Sequence, residues 1–542
     1  MKLRKKLIAL ATAVACTLPT LALTACDNGA SDHEFTILAV KESTVKDYNE
    51  MPVFKKLNEE TGKDVHWTFR TSSQYSNTDD PVSTRGIDAI YHAGFGNLQL
   101  YNYGKAPRKR IVAIDEYLDS MPNFKRILDS RPDIAEALKS PDGHIYSLPR
   151  IEEMGLKQYP NILFINKAWI TKLIKDGNMP DGVELEEKDL VDGLDLSRDE
   201  FKKILQKFNS VDMDGDGKAG NAGGSEIPLA YVSGNWQGNE SDLIASFGVP
   251  ENIEHKTILN GKVVFTVEDE KWFNAYKELN GWYQEGLIRS TNYTRDQDEF
   301  QAYGQNGIYG AFYWWEKETI VKEELRDDYI IVKPLKDENG NRYVGVSNEL
   351  EVEKSECVIL STCKDKEGLL SYFDKFFEPD YSAQLNYGSI ESGAFKAEKE
   401  NGMLIPNDDH GAQSADDFRM QNAPYGVVYL TNEVWDKTVK MESRARLRLD
   451  RLDAYVKPYS FKGATNIPNL NYTEQELNDL STYEMSLGGN IKMQIMEWLQ
   501  SKSTPQKSDW TKLISDNKQS LDEIKKINQA AYDRYLEAIK TK

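Results

Sequence analysis

The sequence predicts an α/β fold in which mostly parallel sheets are covered on both faces by helices. Two observations carry this. Short apolar runs of strand length alternate with amphipathic helical segments along the chain. Capping and turn residues stand between them, where such elements have to start or stop. The chain has 542 residues, of which 39% are hydrophobic and 28% charged. At about 150 residues per domain that is enough for three or four units, or for two large lobes.

The elements follow in order. Residues 35–40 (Phe-Thr-Ile-Leu-Ala-Val) read as a strand, 52–61 as a helix ended by Gly62, and 65–69 and 87–91 as further strands. Residues 162–165 are another strand, followed at once by a helix through Trp169 and Leu173. Ser197-Arg-Asp-Glu200 is a capping box, and behind it Phe201, Ile204, Leu205 and Phe208 fall on one helical face. Asn260-Gly261 between two apolar runs signals a hairpin. Thr473-x-x-Glu476 and Ser520-x-x-Glu523 are two more capping boxes, the last opening a helix striped by Leu521, Ile524, Ile527, Ala531, Tyr535 and Ile539.

Lys plus Arg is 67 and Asp plus Glu is 87, for a net charge of −20. No basic footprint for nucleic acid follows from that balance, nor a charge-driven hold on an anionic bilayer. Four cysteines exclude a disulfide-built scaffold. Cys16 lies in the leader. Cys357 and Cys363 sit in Glu356-Cys-Val-Ile-Leu-Ser-Thr-Cys363, which reads as a buried strand with both thiols on one face. Six extended residues span roughly 20 Å, too far for a disulfide, so both are expected as free buried thiols.

The chain opens with Met1-Lys-Leu-Arg-Lys-Lys6, an apolar stretch to Leu23 broken by Pro19, and Leu23-Thr24-Ala25-Cys26. A basic start, a short apolar core and small residues before a cut site read as a secretory signal. The ending resembles a bacterial lipobox, which implies cleavage before Cys26 and a lipid on its sulfur. Residues 1–25 are then the signal and 26–34 a tether. No later stretch approaches 18 apolar residues.

The sharpest local signal is Asp212-Met-Asp214-Gly-Asp216-Gly217-Lys218. Carboxylates at loop positions 1, 3 and 5 with Gly at 6 match the first half of an EF-hand. Three carboxylates within five residues repel unless a cation joins them, and an all-oxygen set suits Ca²⁺ over zinc. Position 12 is Gly223, so the distal acid has to be Glu226, beyond a Gly220-Asn-Ala-Gly-Gly224 insert. Asp212, Asp214, Asp216, Lys218 and Glu226 are the expected ligands of a structural Ca²⁺, in a loop spanning 212–226.

Taken with this loop, Glu226-Ile-Pro-Leu229, Asp142-Gly-His-Ile-Tyr-Ser-Leu-Pro149, Leu163-Phe-Ile-Asn-Lys-Ala-Trp169, Asn386-Tyr-Gly388 with Ser392-Gly393, and Gln529-Ala-Ala-Tyr-Asp-Arg-Tyr535 form an ordered series. In that order the chain resembles the larger extracellular solute-binding lipoproteins of bacterial ABC importers, in the oligosaccharide-binding branch. It departs from them at the insert before Glu226 and at Tyr103-Gly-Lys-Ala-Pro-Arg108, where the family tends to have a second glycine. The resemblance implies a two-lobed, type II periplasmic-binding-protein-like fold with the ligand cleft between the lobes. The expected division is 35–155 N-lobe, 156–305 C-lobe with the calcium loop, 306–362 N-lobe again, and 363–542 a helix-rich return to the C-lobe. It further implies an oligosaccharide ligand, an ABC permease as partner, a lipid anchor at Cys26, extracytoplasmic residence and a monomer, with no nucleic acid.

In open α/β sheets ligands sit beyond the carboxyl ends of strands. Residues there that suit a sugar are Tyr91 and His92, Arg150, Trp236 within Ser233-Gly-Asn-Trp-Gln-Gly-Asn239, and Trp314 and Trp315. An indole covers the apolar C–H face of a sugar ring, and amide and guanidinium groups satisfy its hydroxyl edges. Six scattered histidines give no His-Glu-x-x-His, and neither a Gly-x-Ser-x-Gly elbow nor a phosphate loop occurs. The rival readings are a secreted calcium-stabilised glycoside hydrolase or lyase, whose paired carboxylates would meet only in the fold, and a peptide-binding or adhesive surface lipoprotein.

Overall fold

The structure is a computed structural model that describes residues 34–42, 45–153, 158–346, 350–407, 409 and 415–540. The leader, Cys26 and most of the tether lie outside these residues. Among them the strands are β1 (Phe35–Val40), β2 (Val65–Arg70), β3 (Ala89–Tyr91), β4 (Leu148–Glu152), β5 (Ile162–Asn166), β6 (Ile227–Ala230), β7 (Lys256–Leu259), β8 (Lys262–Phe265), β9 (Tyr309–Trp314), β10 (Tyr329–Ile331), β11 (Glu351–Ile359), β12 (Val428–Leu430) and β13 (Ala464–Thr465).

Two sheets organise two lobes. The first has the order β12-β4-β11-β3-β1-β2. Its strands run parallel except β11, which is antiparallel to both neighbours. The second has the order β10-β5-β9-β6, in which only β6 and β9 pair in parallel. A small third sheet, β13-β7-β8, is built on the Asn260-Gly261 hairpin, with φ of 50° and 78° at its two turn residues.

Period-two alternation puts a core on each face of each sheet. In β1, Phe35, Ile37 and Ala39 enter one cluster and Leu38 the opposite one. In β9, Ala311 and Tyr313 enter one cluster and Phe312 and Trp314 the other. Helices supply the cover. The helix Arg198–Ser210 buries Phe201, Ile204, Leu205 and Phe208 and carries the reciprocal Ser197–Glu200 cap. The helix Pro52–Thr61 ends at Gly62 in the left-handed region. The Thr473–Glu476 box opens Glu474–Gln500. Ser520 caps nothing, because the last helix already begins at Lys518 and spans Lys518–Lys540. Cys357 and Cys363 are free and buried, but β11 stops at Ile359, so Cys363 follows a turn and does not share the strand.

The lobe division differs from expectation in its second half. β9 and β10 pair with β5, so 306–346 stays in the second lobe. The chain re-enters the first sheet only at β11, and β12 beside β4 keeps it there to about residue 440. The helix Ser443–Tyr455 then returns it, burying Leu452 in the second lobe's core. Strand pairing sets these borders, and pairing partners far apart in sequence leave no compositional mark.

Among the described residues the chain therefore passes between the sheets after β4, before β11 and after β12. The carboxyl ends of β1, β2, β3, β4 and β12 lie at the same edge as the start of β11, and the carboxyl ends of β6, β9 and β10 lie at the same edge as the start of β5. Both edges adjoin the crossings. No helix among the described residues is long and apolar enough to cross a membrane.

Candidate ligand cleft and acidic loop

On the first lobe the edge facing the crossings is charged. His92 follows β3 with a left-handed backbone, φ 56°. Its Nδ1 lies 2.8 Å from Glu356 Oε2 and its Nε2 lies 3.0 Å from the Pro424 carbonyl, so each ring nitrogen faces an acceptor. Burial opposes ionisation of Glu356, but the hydrogen bond and charge of His92, with help from Arg150, hold its carboxyl below the usual range. Burial, and then its neighbour Glu356, push Glu353 up, so a proton taken by this pair rests on Glu353. Arg150 on β4 pairs with Glu152 beside it and lies 3.5 Å from Glu353 on β11. Burial alone would weaken the Arg150 proton, yet Glu152, Glu353, Glu351 and Glu356 together raise it above the ordinary guanidinium.

Arg419, which the sequence reading missed, completes this edge. Its guanidinium lies 4.1 Å from the Tyr387 ring and 4.8 Å from the Tyr425 ring, while Nε donates to the Asn386 carbonyl at 2.8 Å. A cation braced between aromatic faces keeps planar donors in a fixed orientation.

On the second lobe, the loop after β6 carries Trp236, which is 40% exposed. The loop is pinned to the first crossing, since Gly238 N donates to Pro160 O at 3.1 Å and Asn239 N to Asn161 Oδ1 at 2.9 Å. Gly238 has φ 68°, and a Cβ there would stand 2.1 Å from the Trp314 ring, so only glycine fits this approach. Trp315 is half-buried beneath Arg448, whose guanidinium lies 5.3 Å from its ring and donates to Gln158 O at 2.9 Å. Arg444 pairs with Glu316 next in line. Arg444 and Arg448 come from the helix that follows the third crossing, so three separate stretches meet at Trp315.

Two expected ligand contacts are core residues instead. Trp314 is fully buried, stacked on Phe300 at 5.0 Å with Nε1 donating to Thr319 Oγ1. The alternation of β9 turns it inward, and Trp315, just past the strand end, is the residue left at the edge. Tyr91 is also fully buried; its hydroxyl donates to the Tyr425 carbonyl and accepts from Val427 N at 3.1 Å. It supports the segment that carries Pro424 and Tyr425. His92, Arg150, Trp236 and Trp315 border the crossings.

The acidic loop is a separate site between the helix Arg198–Ser210 and β6. Asp212, Asp214 and Asp216 each offer an oxygen within 4.8 Å of the other two. Backbone N–H groups hold them: Asp212 accepts from Gly215 and Gly217, Asp214 from Asp216, and Asp216 from Lys218. Glu226 is fully buried, its Oε1 accepting from Met213 N at 2.7 Å, while Oε2 has no hydrogen-bond partner. Oε2 and the Lys218 carbonyl lie 2.3 and 2.6 Å from the point where a Cβ of Gly224 would stand, so the two oxygens converge beside that glycine. A short turn over Gly220–Ala222 folds the insert away and brings Glu226 back to the loop. Carboxylates, a carbonyl and one orphaned buried oxygen are the donor set of a hard cation.

No family model matches the chain. The fructooligosaccharide ABC transporter substrate-binding protein FusA of Streptococcus pneumoniae serotype 4 is 26% identical over 503 residues, 90% of this chain and 88% of that one. The solved structure of FusA in complex with kestose superposes with a TM-score of 0.79 at 25% identity, over 93% of this chain and 99% of the other. An EF-hand mutant of FusA with fructo-nystose gives the same TM-score. A human-milk-oligosaccharide-binding solute-binding protein of Bifidobacterium longum infantis shares the fold, with a TM-score of 0.72 at 19% identity over 92% of this chain and 98% of that one.

Proposed function

We propose that this chain, a two-lobed homologue of the substrate-binding proteins of ABC importers, captures an oligosaccharide outside the cytoplasm and delivers it unaltered to a permease. What supports this is the topology, which leaves the strand ends of both sheets beside the chain crossings; on this reading His92, Arg150 and Arg419 would serve the cleft from the first lobe and Trp236 and Trp315 from the second. Flat rings for the C–H faces and charged donors for the hydroxyls are the two things a sugar asks of a cleft. Ligand that touches both edges when the lobes close, and one when they open, favours the closed form by that difference.

The relatives are named as transport proteins, and FusA for fructooligosaccharides; kestose is accordingly the first ligand to try. Asp212, Asp214, Asp216, the Lys218 carbonyl and Glu226 would hold a Ca²⁺, which supplies charge balance and rigidity to the loop and no chemistry. Cys26 would carry the lipid that keeps the protein beside its permease at the outer face of the cell membrane, and the protein acts as a monomer. The test is intrinsic tryptophan fluorescence during titration with kestose and related oligosaccharides, with the sugar recovered afterwards. A saturable change with intact sugar is expected. New reducing ends would establish the hydrolase or lyase reading, and a response to peptides alone would establish the peptide-binding one.

A further inference from the structure

Residues 423–428, which lead into β12, are buried except for Tyr425, which is half-buried. Tyr425 has a left-handed backbone, with φ 55°. Asparagine, aspartate and histidine enter that region more readily; for a tyrosine it is an outlier, and it persists only where the surroundings over-determine it. Here they do. Tyr425 N donates to Leu385 O at 3.1 Å, and the Tyr91 hydroxyl donates to Tyr425 O. The Tyr48 hydroxyl donates to Pro424 O at 3.0 Å, and His92 Nε2 lies 3.0 Å from the same carbonyl. Val427 N donates back to the Tyr91 hydroxyl at 3.1 Å. Gly426 has φ 88°, and a Cβ there would stand 2.4 Å from the Tyr91 ring, so the side chain could not be moved one residue along.

Two buried tyrosines and His92 thus hold one turn, and what the turn presents is a ring. Both backbone groups of Tyr425 are committed, so the side chain is what remains for a role outside the core. The ring stands beside Arg419, whose guanidinium lies 4.8 Å from it. His92, Arg150 and Arg419 at this edge can serve hydroxyls but offer no flat face to C–H groups. Tyr91 lies in the core, and Tyr387 already packs against Trp435 at 4.8 Å as well as against Arg419. A sugar ring gripped from two sides is covered best by a flat face on each. Trp236 and Trp315 both belong to the second lobe, which leaves the first lobe's face to Tyr425.

We propose that Tyr425 is the ring platform of the first lobe, on which one sugar unit lays its C–H face while Arg419 donates to that unit's hydroxyl edge. The inference rests on the oligosaccharide-binding reading and adds to it a contact residue and a reason for the left-handed turn. A ring fixed in place before the ligand arrives costs little ordering when the sugar binds.

The experiment is calorimetric titration of the full protein and its variants with kestose and longer fructooligosaccharides, beside thermal melts. Tyr425→Asn and Tyr425→Gly remove the ring while accepting the left-handed backbone, so cooperative melting should persist. Affinity should fall about tenfold or more in both. Tyr425→Phe, which keeps the ring, should recover most of that loss. The loss on Tyr425→Asn should also persist in an Arg419→Lys background, because the ring touches the sugar itself. Unchanged affinity in Tyr425→Asn and Tyr425→Gly overturns the proposal. So does an equal loss in Tyr425→Phe, which would make the hydroxyl the contact, or a loss that vanishes beside Arg419→Lys, which would make Tyr425 a brace for Arg419 alone. A parent that binds no oligosaccharide overturns the proposed function and this inference with it, whereas a parent that binds as well as its ring-less variants overturns this inference only.

Discussion

Replacing Glu226 by Gln separates the cation reading of the acidic loop from a solvated acidic turn. Glu226 is fully buried and one of its oxygens has no partner. Without a cation that oxygen costs about 1–3 kcal/mol, more if ionised. Gln keeps Oε1 for the Met213 N–H, and its amide can turn toward the Lys218 carbonyl, which converges on the same spot. In chelator, Glu226→Gln should therefore be at least as stable as the parent, by up to about 2 kcal/mol. In calcium the order reverses. A cation at 100 times its dissociation constant stabilises the parent by about 2.7 kcal/mol, and the variant has lost a ligand. Thermal melts with EDTA and with calcium, on both proteins, read this crossing of order directly. Parent curves that coincide with and without calcium, or a variant that is less stable by the same amount in both, would refute the reasoning.

Other expectations follow from single contacts. Burial pushes Asp242 up to about 7, against the opposing hydrogen bond from Gly345 N. A carboxyl raised in the folded state stabilises fully below its unfolded value near pH 4 and loses that stabilisation as pH rises through about 7. The whole shift corresponds to about 4 kcal/mol, and Asp242 keeps some solvent contact, so Asp242→Asn should gain about 2 kcal/mol over the parent at pH 8 and nothing at pH 4; parallel stability curves would contradict this. Trp315→Ala should weaken sugar binding about tenfold or more while costing clearly less stability than Trp314→Ala, which should cost about 3–5 kcal/mol. Paired melts and fluorescence titrations distinguish the two. Tyr91→Phe loses the bonds to Tyr425 O and Val427 N and should cost about 1–3 kcal/mol in urea unfolding.

Local rules carried the reading of elements well. The Ser197 and Thr473 boxes, the Asn260-Gly261 turn and the Gly62 stop depend on neighbours a few residues apart, and each appears where its chemistry requires. The Ser520 box did not, since the last helix begins at Lys518, three residues before the one that cap would start. Long-range pairing was invisible. Nothing near residue 306 says that β9 will pair with β5, and nothing near residue 428 says that β12 will pair with β4. The same limit explains the site. Trp314 and Trp315 are indistinguishable in sequence, and one step of strand alternation puts the first in the core. Arg419 and Arg448 carry no local signal in the sequence, yet tertiary neighbours make the first a braced cation and bury the second against Trp315. The acidic loop was legible because its three carboxylates lie within five residues, and only Glu226 had to be carried back by a turn.

The clamp itself is tested most directly by small-angle X-ray scattering of the protein during titration with kestose and longer fructooligosaccharides. Closure of the two lobes predicts a saturable fall in the radius of gyration at the concentrations that change tryptophan fluorescence. A radius that stays constant while the sugar binds would contradict a hinged cleft.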